Sequence, residues 1–575
     1  MISRVNLTLR EMMPTLVGNT VDPDYPNLEG LRTALVRHNT ETTYVVPGDW
    51  PAVDGRRWFL DGSLPTEGTD VQYLVDGQET FACMVEAIET ADSAGHFIVL
   101  LGWSLDPRVV IDAKNKKTVV QVLEQRASLG VAVRVLLFDN TEYQINDFAC
   151  DKINQIRTNS SQDVYAVLDD HTDSLTPGLE GSFELPPIPF FAPLPESFHR
   201  ARERAQKYTK KGNVGAVGAH HHKIMLVYGR DGLVGFCGGI DIDGNRLSSL
   251  HDVHVRVVGA AARELLTIAE QRWAYSRDNG NAPTPSTIST LSPPSTPKPA
   301  FAPNAAKVIQ TVGNPDIKKF TSNTLWPTIQ RAVESATSFI YVEDQYFWSL
   351  DLVDALVRAA KSDAVRHITI LLPKATVGEH AKRRQTAIGK LVKDAGETAV
   401  KKFGIYEMQA PGHEWVHSKL FVFDDEFAVV GSANANNRGY FVDSEAAVAV
   451  AEREFRHPDG RWRSEWSMVE AAWARRLRMS LWREHLGLRE AEVFDGVGAR
   501  VHWQSPPPAA NIGVYNSVNL NKWVRSVEQY QEEVAEGKNP IWVDPLTAED
   551  RRPWWEGARG DWDPGWSVED PFVDP

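Results

Sequence analysis

The sequence predicts an α/β protein built from two similar α-β-α sandwich lobes. Three observations lead there. Helical and buried-strand patterns alternate along most of the chain, their order recurs in a second half, and a Pro/Ser/Thr-rich stretch separates the halves. The expected organisation is a lead-in over 1–70, a first lobe over 71–278, a linker over 279–304, a second lobe over 305–490 and a Trp/Pro-rich tail over 491–575. Duplicated halves of this kind imply a pseudo-twofold relation, with the equivalent motif strands meeting at the interface.

Residues 1–70 are polar and proline-dotted, with little periodicity. FACMVEAIETADSA then sets apolar residues at helical spacing, and HFIVLLGW reads as a buried strand with Trp103 and Asp106 at its end. KNKKTVVQVLEQRAS is expected as an amphipathic helix closed by Gly130, ahead of the buried strand VAVRVLLF. Residues 140–215 read as irregular, because the run LPPIPFFAPLP at 185–195 cannot form a helix interior. A loop of that length is either a functional segment or a plain surface insertion. HDVHVRVVG alternates as a strand and AARELLTIAEQRW follows as a helix; residues 279–304 have the composition of an extended linker. The second half repeats the order with the helix TLWPTIQRAVESA, the strand SFIYVEDQYF, the helix LVDALVRAAK, the strand HITILLP and, later, the helical MVEAAWARRLRMSLWREHLG. Glu379, His380, Lys382, Arg383 and Arg384 are expected on a solvated helix face. In the tail, Trp542, Trp554, Trp555, Trp562 and Trp566 stand among prolines and acids. They are read as rings that pack back on the second lobe, with a lipid interface as the alternative.

The 575 residues carry a net charge of −15, a poor electrostatic match for a nucleic-acid backbone, and no long Lys/Arg run appears. No nucleic-acid partner is expected. Cys83, Cys150 and Cys237 form an odd set without metal-ligand spacing, so they read as buried thiols of a reducing compartment. The first twenty residues lack the apolar core of a secretory signal, and no apolar run approaches the ~18 residues that span a bilayer. The expectation is a protein that is cytoplasmic when made and meets a membrane from its surface.

The chemistry is concentrated in two stretches. In HEWVHSKLFVFDDEFAVVGSANANNRGYFVDSE, His417, Lys419 and Asp424 form H-x-K-x4-D on a strand that turns back into a GSANANNR loop carrying Ser432 and Asn434. In AHHHKIMLVYGRDGLVGFCGGIDIDGNR, His221 and Lys223 repeat the spacing ahead of another apolar run. A lone histidine and lysine at a strand end is usually a solvated edge; two copies with matching flanks reverse that reading. An imidazole and an ammonium side by side can attack a phosphoryl group and hold its oxygens. His220, His221 and His222 do not make a metal cluster, because consecutive strand residues face opposite ways. No metal is expected.

These residues resemble the phospholipase D superfamily, whose members carry two H-x-K-x4-D motifs and build one active site from both. The second motif matches in full. The first departs from it, with Tyr228 in the place of the aspartate and Asp231 three residues later. Gly238-Gly239-Ile240-Asp241, HDVHVRV at 251–257, VEDQYF at 342–347 and LRMSLWREHLGL at 477–488 resemble the lipid-hydrolysing branch, so the likeness covers roughly residues 75–490. It implies His221 as nucleophile and His417 as general acid, or the reverse, since nothing in the sequence breaks the symmetry. It also implies Lys223, Lys419 and Asn434 on the phosphoryl oxygens, with Ser432, Gly238 and Gly239 lining the phosphate. Gly238 stands at the same offset from His221 as Asn434 from His417. Asp252 follows His221 by 31 residues and Glu445 follows His417 by 28, resembling the carboxylates that orient each histidine. Asp424 completes the motif, and the resemblance counts it among the catalytic residues. No cofactor is implied. The implied substrate is a glycerophospholipid at a peripheral membrane surface, cleaved by a monomer to phosphatidate and alcohol, with transfer to a second alcohol as a further reaction. The alternatives are a cardiolipin-synthase-like phosphatidyltransferase, a nuclease and an inactive phosphate-binding protein. The setting is either the cell's own membranes or, for an exported bacterial effector, those of another cell.

Overall fold

The computed structural model describes residues 55–60, 63–65, 68–139, 145–169, 220–278, 304–312, 324–374, 379–410, 415–436, 439–440, 443–452 and 473–515. The proline-rich run at 185–195, residues 279–303 of the linker expected over 279–304 and the five tail tryptophans lie outside these residues, while Asn304 opens a strand.

Among the described residues, fifteen strands join in one sheet: β1 (Thr69–Val75), β2 (Phe97–Gly102), β3 (Ala132–Phe138), β4 (Val164–Asp169), β5 (Ile224–Gly229), β6 (Gly232–Gly238), β7 (Val253–Gly259), β8 (Asn304–Thr311), β9 (Phe339–Asp344), β10 (His367–Leu372), β11 (Phe403–Met408), β12 (Lys419–Phe423), β13 (Phe427–Gly431), β14 (Glu445–Glu452) and β15 (Ile512–Val514). From the central contact of β1 with β8, one side runs β7, β6, β5, β2, β3, β4, and the other β14, β13, β12, β9, β10, β11, β15. Strands β2, β3 and β4 are parallel, as are β9, β10 and β11, while the rest pair antiparallel. This is a mixed α/β architecture around a large sheet. Strands β2, β3, β9 and β10 are buried along their whole length, which is why they read as mostly apolar runs rather than alternating ones.

Three apolar cores hold the sheet. One faces the helices Asp76–Thr90, Val119–Ala127 and Ile145–Ser160 in the first half. Another faces Leu325–Ser335, Leu350–Lys361 and Glu379–Ala399 in the second half. The third draws on both halves and on the helices Ala260–Asp278 and Trp473–Leu486, so the halves share a core. The motif hairpins β5–β6 and β12–β13 belong to it, which fixes them relative to each other.

Several elements differ from expectation. The stretch expected to be irregular from 140 contains the helix Ile145–Ser160 and β4; Ala149, Cys150, Ile153 and Ile156 give that helix its buried face among polar residues. In KNKKTVV the helix begins only at Val119, where Thr118 and Gln121 form a capping box, and Lys117–Thr118 pairs with Val110–Asp112 as a small hairpin. The lead-in is not wholly polar: Trp58 and Phe59 are buried, with Trp58 stacked on Phe427. Arg384 is buried and donates to the carbonyls of Tyr346, Pro373 and Gln345, against the expected solvated face. Residues 490–514 are no separate tail, since β15 extends the second half's sheet and Trp503 is buried in the shared core. Cys150 and Cys237 are buried and Cys83 is half-buried. Among the described residues no helix is long and apolar enough to cross a membrane.

Candidate active site

His221 and His417 each stand at the mouth of a motif hairpin, just before β5 and β12. Each is held by the opposite half of the molecule. The His221 N–H donates to the Ser444 carbonyl at 3.0 Å and the His417 N–H to the His251 carbonyl at 2.7 Å. Beside them, Trp415–Val416 pairs in parallel with Leu250–His251. The side chains follow the same crossing. His221 Nδ1 meets Glu445 at 2.9 Å, and His417 Nδ1 meets Asp252 at 2.7 Å. The expectation that each carboxylate serves the histidine of its own motif is therefore corrected. Ser444 and Glu445 enter β14, while His251 and Asp252 lead into β7, and both strands flank the central pair of the sheet.

Both dyads are buried. Burial alone would raise the Asp252 carboxyl, but the His417 charge and hydrogen bond, with Lys419 and Arg246 nearby, bring it down to about 2. An anionic partner on Nδ1 fixes the Nδ1–H tautomer and leaves Nε2 for chemistry, and the Glu445–His221 pair has the same geometry. Ser432 Oγ donates to Glu445 Oε2 at 2.5 Å, so its place is behind the carboxylate rather than on a substrate. Gly239 also serves a carboxylate, since a Cβ there would lie 2.1 Å from Asp252 Oδ1. Gly238 permits close approach to His254, whose Nδ1 would be 2.5 Å from an added Cβ. The contacts of these three residues are with the groups that hold the histidines and with His254.

The two lysines differ. Lys223 Nζ pairs with Asp241 at 2.9 Å, both fully buried, and Asp241 also accepts the N–H groups of Trp103 and Ser104. Lys419 Nζ instead reaches the Gln345 amide oxygen at 3.2 Å and lies 3.0 Å from His417 Nδ1. The turn beyond Gln345 is held by Asp344, which accepts the N–H groups of Tyr346, Phe347 and Ala435 at 2.7 Å each. Burial raises the Asp344 carboxyl against those donors. Phe347 takes a φ of 53° there.

Counting residues from each histidine misplaced one equivalence. Gly238 and Gly431 both close the second strand of their hairpins, but the first hairpin is longer, so Asp241 and not Gly238 stands where the second half has Asn434. Asn434 is buried, and its amide oxygen has no partner among the described residues. Asp424 stands apart from the histidines at the far end of β12, where it accepts from Arg57 and from the N–H groups of Thr337, Ser338 and Phe339 at 2.7–2.9 Å. Its role is to hold the start of β9, which corrects its assignment to the chemistry. Sequence reasoning missed Gln345, Asp241 and Trp103. Trp103 stacks on Phe138 and sets its ring edge-to-face with His221 at 5.1 Å. Asp241 and Gln345 were visible only as parts of GGID and VEDQYF.

The family described as "Cardiolipin synthase, PLD-like domain" matches residues 329–458. Phospholipase D A of Dictyostelium discoideum is 22% identical over 468 residues, 73% of this chain and 36% of that protein. Phospholipase D1 of Schizosaccharomyces pombe is 22% identical over 596 residues, covering 80% and 39%. A cardiolipin synthase of Halalkalibacterium halodurans is 24% identical over 389 residues, covering 66% and 62%. The chain thus spans under two fifths of the length of the two phospholipases.

Proposed function

Because the chain belongs to the phospholipase D superfamily, we propose that it is a phospholipase D, cleaving glycerophospholipids to phosphatidate and the head-group alcohol through a phosphohistidine. The observation that carries this reading is the crossed pair of dyads, Glu445–His221 and Asp252–His417. Each half supplies the carboxylate for the other half's imidazole, so the two rings work as one unit. We read the halves of the sheet as duplicated lobes with this site between them.

In the proposed reaction His221 Nε2 attacks phosphorus and the bond to the head-group oxygen breaks as His417 Nε2 gives that oxygen its proton. His417 then takes a proton from water, which attacks phosphorus and breaks the N–P bond. An alcohol in place of water gives transphosphatidylation. Lys223, Lys419 and Asn434 would hold the non-bridging oxygens, where losing one preorganised donor typically costs about 2.7–4 kcal/mol. The protein would act as a monomer at a membrane surface. A second reading, phosphatidyl transfer as the main reaction, draws on the matched family's description and on the cardiolipin synthase likeness.

The test is head-group release from mixed-lipid vesicles by wild type, His221→Ala and His417→Ala in EDTA, with a primary alcohol added. Activity that survives EDTA and disappears in both variants is expected. Product that is entirely phosphatidyl-alcohol would favour the transferase, and a wild type active only on DNA would sink both readings.

A further inference from the structure

Directly behind His417 lies a second buried cluster. Glu343 accepts from Tyr341 Oη at 2.6 Å and faces His485 Nε2 at 3.0 Å through one carboxylate oxygen; through the other it accepts from Ser418 Oγ at 2.5 Å and faces His251 Nε2 at 3.1 Å. The other nitrogen of His251 lies 3.1 Å from Asp76 and 3.2 Å from Glu484. Both nitrogens of one ring therefore lie within ion-pair distance of carboxylates, surroundings that favour an imidazolium. Burial disfavours that cation, but Glu484, Asp76 and Glu343 hold it protonated well above the usual range.

The ligand atoms of His251, Glu343 and His485 lie within 4.8 Å of one another, a spacing that could hold a metal ion. Glu343 argues for the ion pair instead, because each of its oxygens already faces two donors.

The cluster grips the Asp252–His417 dyad at four points. The His251 carbonyl accepts the His417 N–H, and Ser418, next in sequence to His417, is bound to Glu343. Asp76 Oδ1 accepts the Asp252 N–H at 3.0 Å, and the Asp76 N–H donates to the Asp252 carbonyl at 2.8 Å. The His221 side is built differently: His220, next in sequence, lies 3.0 Å from the buried Asp169, which also pairs with Arg272. Leu101 pairs with Ile224 where Glu343 pairs with Leu420, and Ser444 precedes Glu445 where His251 precedes Asp252.

We propose that His251, clamped between Glu343 and Asp76, is a positioning residue that holds the Asp252–His417 pair in place for proton transfer to the leaving alcohol. The inference rests on the reading of His417 as general acid. A poor leaving group such as choline needs that proton, whereas p-nitrophenolate leaves without it.

The test compares choline release from phosphatidylcholine with the pre-steady-state burst from phosphatidyl-p-nitrophenol, both in EDTA. His251→Gln is expected to lower kcat for choline about 10- to 100-fold, part of the ~10²–10⁴ that general acid catalysis supplies, and to leave the burst rate within about threefold of wild type. Asp76→Gly suits the φ of 61° at that position and stands in should His251→Gln fail to fold; it is expected to show the same split, milder. Equal losses on both substrates in a variant that melts like wild type would overturn the proposal. So would activity or melting temperature that falls in EDTA and returns with zinc. A readout independent of turnover is the downfield proton resonance of His417 Nδ1–H, identified by its loss in Asp252→Asn. It should shift or broaden in His251→Gln, and an unchanged resonance would refute the positioning role. Wild type that releases neither choline nor p-nitrophenol would remove the proposed function and leave this resonance to decide the inference.

Discussion

The two motif neighbourhoods share a geometry and differ in what supports it. Around His221 the supports are Ser432 behind Glu445, Asp241 on Lys223, Trp103 edge-on to the ring, and a buried pair of His220 with Asp169 that Arg272 completes. Around His417 they are Gln345 on Lys419 and the Glu343–His251–His485 cluster behind Asp252, which holds two histidines on one carboxylate. The hairpin tips differ as well. Asp424 ties the second to Arg57 and the start of β9, while Tyr228 holds the first by stacking on Phe97 at 5.4 Å and meeting His96 edge-on. In the proposed reaction one ring attacks and the other donates a proton, which calls for equal placement but unequal surroundings. The unequal supports break a symmetry that the motifs alone preserve.

The largest effect should come from exchanging the orienting carboxylates for amides, which tests the crossed pairing directly. Asp252→Asn is expected to behave like a His417 variant and Glu445→Gln like a His221 variant. Each should lose about 10²–10⁴ in head-group turnover, the range seen when an orienting carboxylate or a general acid is lost. Only Glu445→Gln should also abolish the p-nitrophenol burst. If Asp252→Asn abolishes the burst and Glu445→Gln spares it, the roles of the two histidines are reversed. If both variants spare it, the carboxylates do not control the rings.

A smaller effect, on stability rather than chemistry, should separate the hairpin tips. Asp424→Asn weakens a buried carboxylate that serves three backbone donors and Arg57, and it should cost about 1–3 kcal/mol with activity per folded molecule within twofold. Tyr228→Asp, which restores the motif's residue to the first hairpin, should also destabilise, because it removes the ring that packs on Phe97. Denaturant titration beside vesicle assays would measure both. A gain in turnover from Tyr228→Asp would show that the motif position matters to the chemistry after all.

The limits of the sequence follow from the same contrast. His221, Lys223, His417 and Lys419 were legible as a repeated motif because their spacing is local, and the mixed α/β fold because alternating apolar runs survive in one dimension. Asp252 and Glu445 were legible as residues but not as partners, since their bonds to the histidines span 165 and 224 positions. Chain order suggested the nearer histidine in each case. Gly238 and Gly239 let His254 and Asp252 come close and Ser432 donates to Glu445, contacts between chain segments that leave no mark in the local sequence. Glu343 and His251 both lie inside quoted motifs, and their contact across 92 positions left no local trace. The helix Ile145–Ser160 was missed because its buried face is narrow and its remaining residues are mostly polar.

The mildest prediction concerns pH, and it sets His251 against a buried histidine three residues away. Burial dominates at His254 and lowers it to about 4, while carboxylates overcome burial at His251 and raise it well above the ordinary value. With an unfolded value of about 6.5 for both, the signs are opposite. Between about pH 6.5 and its raised folded value, His251 binds more proton folded than unfolded. Its contribution is therefore complete below about 6.5 and fades as pH rises, with a slope of up to about 1.4 kcal/mol per pH unit. His254 remains neutral when folded, so it costs stability as pH falls from about 6.5 towards 4. Asp252, held at about 2, adds its own loss below about pH 4. Melting curves from pH 4 to 10 should therefore show the gap between wild type and His251→Gln widest at or below pH 6.5 and closing on the alkaline side. His254→Gln should gain on wild type only on the acid side. A His251→Gln gap that stays constant with pH would mean that the ring is neutral in the folded protein, and the ion pair joining Glu343 to Asp76 would have to be abandoned.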